Sequence, residues 1–327
     1  MGYGGPQLPL ALSSSNPLSP LNVSTILFLF LDGVGLGLSD PSINPFDHDF
    51  PAINRLAGHQ RWVNEARPIA SNTHVFRPID ANLNMEGLPQ SGTGQATLFS
   101  GVNCARVAGR HFGPYPHSKT HQVLATYNLF TQVKSLFSSD PEPCAFANAY
   151  PREFFDRARA RHRWTVTTLC CIQSGVRIRE LKDLNAGYAI TADMTGQGWQ
   201  QMLGYDTETI TEYEAGNRFS RIGQNHRLAL FEYFLTDKSG HANELAPAID
   251  ILHAVDAFLL GMLSEFHPDR DLILITSDHG NLEDLSTRSH TRNPVPLVAF
   301  GLGADRFAGI QNITQVTPKI LKWFMTF

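Results

Sequence analysis

Ile26–Leu31 is a run of six residues without a polar side chain, and Asp271–Thr276, reading Asp-Leu-Ile-Leu-Ile-Thr, repeats the pattern late in the chain. Runs of this length are strand-sized, well short of the roughly 18–20 residues that a membrane-crossing helix needs. A strand with no polar alternation has no face to give to water, so both of its faces must be covered. Leu228–Leu235 and Pro296–Phe300 are two further strand candidates of the same kind. Between Leu228–Leu235 and Asp271–Thr276, the apolar positions Leu245, Ile249, Leu252, Val255, Leu259, Met262 and Phe266 step by three or four, with Asn243 as a plausible cap. Strand, helix and strand in that order, with continuous apolar strands, predict an α/β fold: a mostly parallel sheet sandwiched by helices.

The 327 residues suffice for one large domain or two. With 26 Lys+Arg against 30 Asp+Glu, the net charge of −4 offers neither nucleic acid nor an anionic membrane an electrostatic footprint. The four cysteines, Cys104, Cys144, Cys170 and Cys171, lack metal-finger spacing and read as buried thiols of a reducing compartment, so the cytoplasm is expected. Residues 1–22, dense in Pro and Ser, read as a flexible leader without the charged start and apolar stretch of a secretory signal. The expected core is discontinuous, 23–111 and 226–327, and 112–225 reads as a small inserted cap. Within it Asn128–Phe137 and Gln197–Leu203 could be helices, and Cys144–Ala149 could equally be a core strand. Its arginines, Arg152, Arg157, Arg159, Arg161 and Arg163, suit a solvated helix face, although they could also grip a phosphate. The oligomeric state is left open.

Acidic and imidazole groups gather where the strands end. Asp32 follows the first, Asp237 the second with His241 four residues on, and Asp278-His279 the third; His290 lies in the loop after that. In an open parallel sheet ligands bind beyond the carboxyl ends of the strands, so these groups could converge. Mixed Asp and His donors suit Mn²⁺ or Zn²⁺ better than Ca²⁺ or Mg²⁺, and six side chains are enough for two metals. Gly87-Leu88-Pro89-Gln90-Ser91-Gly92-Thr93-Gly94-Gln95, ahead of apolar Ala96–Phe99, suits a tight turn into a helix whose free N–H groups face an anion. Asp32-Gly33-Val34-Gly35 invites a dinucleotide-binding reading, but the third glycine of that motif falls on Leu38.

Phe30-Leu31-Asp32-Gly33-Val34-Gly35, Gln90 to Gln95, Thr236-Asp237-Lys238-Ser239-Gly240-His241, Ser277-Asp278-His279-Gly280-Asn281 and His290-Thr291-Arg292-Asn293-Pro294 occur in this order. The series resembles the alkaline phosphatase superfamily, specifically its cofactor-independent phosphoglycerate mutase and phosphopentomutase branch. The resemblance covers about 25–111 and 226–327. It implies an alkaline-phosphatase-like sheet and two divalent cations, Mn²⁺ or Zn²⁺. One would be held by Asp237, His241 and His290, the other by Asp32, Asp278, His279 and the nucleophile. Ser91 aligns with the family nucleophile, and Thr93 is its rival. Gln95 stands where the family has His, and Arg292 resembles the phosphopentomutase form of its loop. Arg292 and Arg110 are candidate contacts for a small phosphorylated substrate. The implied chemistry is phosphoryl transfer through a phosphoserine, ending in hydrolysis or in an intramolecular mutase step. A phosphodiesterase, a sulfatase-like hydrolase and a non-catalytic metal-binding protein are the alternatives; the sulfatase motif needs a Pro and an Arg that the Ser91 segment lacks.

Overall fold

The computed structural model describes residues 24–327, and the expected leader over 1–22 lies outside them. Seven strands, β1 (Ile26–Leu31), β2 (Ile69–Ala70), β3 (His74–Ile79), β4 (Cys144–Phe146), β5 (Leu228–Tyr233), β6 (Leu272–Thr276) and β7 (Val295–Gly301), form one sheet in the order β2-β3-β7-β6-β1-β5-β4. β6, β1, β5 and β4 run parallel, β7 opposes β6, and β3 opposes β7. Five strands therefore point one way and only β2 and β7 point the other.

Period-two alternation divides β1, β5 and β6 between two cores. Ile26, Phe28, Phe30, Leu228, Leu230, Leu272 and Leu274 face one side, with the helices Ser91–Ser100, Leu129–Leu136, Val166–Ser174 and Val316–Phe324. Leu27, Leu29, Leu31, Ala229, Phe231, Ile273 and Ile275 face the other, with Glu212–Gly223 and Leu245–Ser264. The Leu245–Ser264 helix is long and apolar enough to cross a membrane by length and composition. Its buried stripe instead meets the Glu212–Gly223 helix, where Gly216 and Gly261 let the two backbones approach closely.

Several expectations change. The stretch 112–225 does not stand apart as a cap. Cys144, Ala145 and Phe146 pair in parallel with Leu228, Ala229 and Leu230, and the helices around Phe130, Cys170 and Phe219 cover the sheet. Among the described residues a small satellite cluster of Ala149, Leu184, Ala189 and Trp199 lies outside the two cores. The second strand ends at Tyr233, not Leu235, and a helix, Leu235–Ala242, begins at once. Asn243 closes that helix in the left-handed region (φ 61°) and does not cap the next one, whose N-cap is Glu244.

Candidate metal centre

The carboxyl ends of β1, β5 and β6 lie side by side, and the seven expected ligands meet there. Asp32 follows β1 directly; Asp278 and His279 sit two and three residues beyond β6. Asp237 and His241 occupy one face of the helix after β5, so the four-residue spacing puts their side chains together, with His241 Nε2 3.4 Å from Asp237 Oδ2. His290 comes from the loop before β7 and stacks on His279, ring centroids 3.8 Å apart. Ser91 opens the helix Ser91–Ser100 after an extended Gln90, and its Oγ is 3.0 Å from His279 Nε2.

The hydrogen bonds around the imidazoles say which nitrogen faces the centre. His290 Nδ1 lies 2.7 Å from Pro89 O and His241 Nδ1 lies 3.0 Å from Arg288 O. A carbonyl only accepts, so each Nδ1 carries the proton and each Nε2 presents a lone pair. Those two lone pairs meet at 3.1 Å, a repulsive contact unless a cation lies between them. His279 is arranged alike, Nδ1 toward Gly280 O and Nε2 3.4 and 3.5 Å from Asp32 Oδ1 and Asp278 Oδ2. Both of those carboxylate oxygens are buried without a hydrogen-bond partner.

Burial, reinforced by Asp278 and Asp237, raises the Asp32 carboxyl well above its ordinary range. Burial and Asp237 push Asp278 up to about 7. Burial also holds His279 and His290 below the ordinary imidazole value. Acceptors crowded around a buried, uncompensated point are the donor set of a cation site. Ligand atoms of Asp237, His279 and His290 lie within 4.8 Å of one another, and so do those of Asp32, Asp278 and His279. The residues present therefore fit two divalent cations, with His279 in reach of both groups and not of one alone.

Gln95, in the place of the family His, donates from Nε2 to Asp32 Oδ2 at 3.0 Å, one turn along the helix from Ser91. Thr93 faces backbone: its Oγ1 lies 3.3 Å from Gln90 O and accepts from Phe112 N–H at 3.1 Å. Arg292 donates to Gly87 O at 3.1 Å, and Arg110 packs over the Phe112 ring at 5.6 Å. Arg110 and Gly87 line an open hollow of about 370 Å³ with Glu86, Leu88, Gln90 and His111.

Glu283 was not singled out from the sequence. Buried to 1% exposure, its Oε2 accepts from Gly35 N–H and Asn281 N–H, both at 2.8 Å. Its Oε1 accepts from Thr291 Oγ1–H and from Asn293 Nδ2–H at 3.0 Å. One carboxylate thus ties together the turn after β1, the Asp278 turn and the His290 loop. It also accounts for Gly35, where a Cβ would lie 2.4 Å from Glu283 Oε1. Asn281 then donates to Asp237 Oδ1 at 2.7 Å. The available signal was the glycine alternation that mimics a dinucleotide motif. Gly92 is a second close approach, since a Cβ there would lie 2.0 Å from Tyr115 O. Gly92→Ala is expected to cost about 1–3 kcal/mol in urea unfolding, because backbone must move to admit the methyl group.

Residues 210–326 match the model of the metalloenzyme superfamily. The chain is 32% identical over 110 residues to the 2,3-bisphosphoglycerate-independent phosphoglycerate mutase of Agrobacterium fabrum, and 35% identical over 112 residues to that of Microcystis aeruginosa. These matches take in 31% and 30% of this chain and span 21% of each relative's length. The PH0037 protein from Pyrococcus horikoshii shares the fold, with a TM-score of 0.55 at 13% identity over 93% of this chain and 98% of that one. The matched segment runs from the helix before β5 to the last helix and carries Asp237, His241, Asp278, His279 and His290, so in this part the chain is similar to the metalloenzyme superfamily and to the cofactor-independent phosphoglycerate mutases.

Proposed function

We propose that the chain transfers a phosphoryl group from a small phosphate ester, with Ser91 as nucleophile. Asp237, His241 and His290 would hold one divalent cation, Mn²⁺ or Zn²⁺, and Asp32, Asp278 and Ser91 the other, with His279 shared or on the second. The observation that carries the reading is the Ser91 hydroxyl, 3.0 Å from His279 Nε2 beside two unpartnered carboxylate oxygens. Two divalent cations, when bound, would ease ionisation of the hydroxyl and spread the charge that develops on the phosphoryl oxygens. Ser91 Oγ forms the new bond to phosphorus, the ester O–P bond breaks, and the alcohol leaves with a proton. In the first turn of the Ser91 helix Thr93 N–H is taken by Phe112 O at 2.8 Å, so the N–H groups of Ser91 and Gly92 would be the ones to meet that anion. Arg110, which lines the hollow, and Arg292, which donates to Gly87 O on its wall, would bind the substrate's charged end. Water then receives the phosphoryl group in a hydrolase, or a second hydroxyl of the substrate in a mutase. The four cysteines are free and buried, which supports a reducing compartment and with it the cytoplasm.

A panel of sugar phosphates, glycerate phosphates and diesters, assayed with added Mn²⁺ for free phosphate and for isomerised product, tests the reading. Turnover of at least one monoester that stops with chelator is expected. Turnover of diesters alone would move the substrate class to phosphodiesters, and no chelator-sensitive turnover would leave a binding protein.

A further inference from the structure

A second cavity, of about 80 Å³, opens along the outer edge of β4, walled among others by Lys134, Glu142, Cys144, Arg177, Arg179 and His226. It lies toward the amino ends of β4 and β5, whereas the metal centre lies beyond the carboxyl ends. The six residues of β5 separate the two, about 20 Å at ~3.3 Å per residue.

Arg179 sets this cavity apart from a surface dimple. The residue is 5% exposed, yet its guanidinium pairs with no carboxylate among the described residues. Glu180, next in the chain, forms no ion pair with it, and Asp183, four residues on, is taken by Arg177. A guanidinium has five N–H donors, and Arg179 spends Nη1 on Tyr188 O while Nε and Nη2 find no acceptor among the described residues. Burial, with Arg177 alongside, lowers the group to about 10, so it is still a cation at neutral pH. Lys134 brings a second cation whose Nζ donates to Ser174 O at 2.8 Å, and Arg177, paired with Asp183, lies on the same wall. Glu142 is the only carboxylate on the wall, and it is exposed. A buried cation calls for an anion with several acceptor atoms, which water cannot replace charge for charge. The space is ample for one tetrahedral oxyanion, with the mouth open to solvent.

We propose that this cavity binds one oxyanion of phosphate size, held by Arg179 with Lys134 and Arg177 at its rim. The site is independent of the phosphoryl-transfer reading and does not share a residue with the metal centre.

Calorimetric titration of inorganic phosphate into the purified, metal-containing protein tests it. Arg179→Gln is expected to bind one phosphate fewer per chain than wild type, the lost class having a Kd at or below about 1 mM. Lys134→Gln should weaken the same class about threefold to tenfold, and Arg157→Gln, on the exposed helix Arg152–Arg161, should leave it unchanged. Should Arg179→Gln fail to fold by circular dichroism, Lys134→Gln decides together with wild-type crystals grown with tungstate, which should show the ion beside Arg179. Phosphate binding unchanged in Arg179→Gln, absent from wild type, or unchanged in Lys134→Gln with no tungstate in the cavity would overturn the proposal.

Discussion

Ser91→Ala is expected to lower turnover of an aryl phosphate by at least about a thousandfold while leaving the fold intact, as loss of a nucleophile does in enzymes with covalent intermediates. The hydroxyl is the first side chain of its helix, and its partner is His279 Nε2, not a backbone group that the fold needs. Thr93→Ala should behave in the opposite way. Its Oγ1 accepts the Phe112 N–H that anchors the loop over the helix start, so its removal should cost about 1 kcal/mol of stability and leave most of the turnover. Rates of both variants, with urea unfolding as the control, separate the two hydroxyls. A thousandfold loss in Thr93→Ala with Ser91→Ala active would move the nucleophile by two residues.

The second large effect is on stability, and its sign depends on the cations. In protein stripped of divalent ions, burial and Asp237 hold Asp278 up to about 7 from an ordinary value of 3.8, and Asp32 is raised as well. These carboxyls then bind more protons in the folded state than in the unfolded chain, so their contribution to unfolding free energy falls as pH rises from about 4 to about 7. In the upper part of that window it is opposed by His279 and His290, which burial holds below the ordinary imidazole value. Glu232, raised to about 7 by burial on the neighbouring strand, adds to the same trend. With saturating Mn²⁺ or Zn²⁺ the slope should reverse, because the ions bind only the ionised carboxylates, and a ligand at a hundred times its Kd adds about 2.7 kcal/mol. Asp278→Asn should raise the stability of the stripped protein near neutral pH and lose much of the gain from metal. Thermal melts across this range with chelator and with Mn²⁺ read both arms. The same slope in both would mean that the carboxylate cluster is not a cation site.

How far the fold and centre could be read from sequence varies with the kind of signal. β1 and β6 were legible because a strand covered on both faces has no polar alternation, and the acids at their ends follow from the strands. β3 escaped notice: His74-Val-Phe-Arg-Pro-Ile carries a histidine, an arginine and a proline, tolerated because it lies in the antiparallel part of the sheet near its edge. β4 is three residues long, too short for a period to register, so Cys144–Ala149 could be read either as a core strand or as part of a cap, and the second choice turned the helices around it into an apparent cap. Asp237 and His241 were legible by spacing, although the strand before them ends four residues ahead of Asp237 and they stand on a helix. Glu283 was not legible, since its role exists only when three loops distant in sequence meet around one carboxylate.

Metal analysis of the purified protein and of Asp237→Ala tests the two-cation centre most directly. Wild type is expected to hold close to two divalent cations per chain and the variant close to one, with phosphate-ester turnover lost on chelation and restored by Mn²⁺ or Zn²⁺. A wild-type protein that holds none, or turnover that survives chelation, would contradict it.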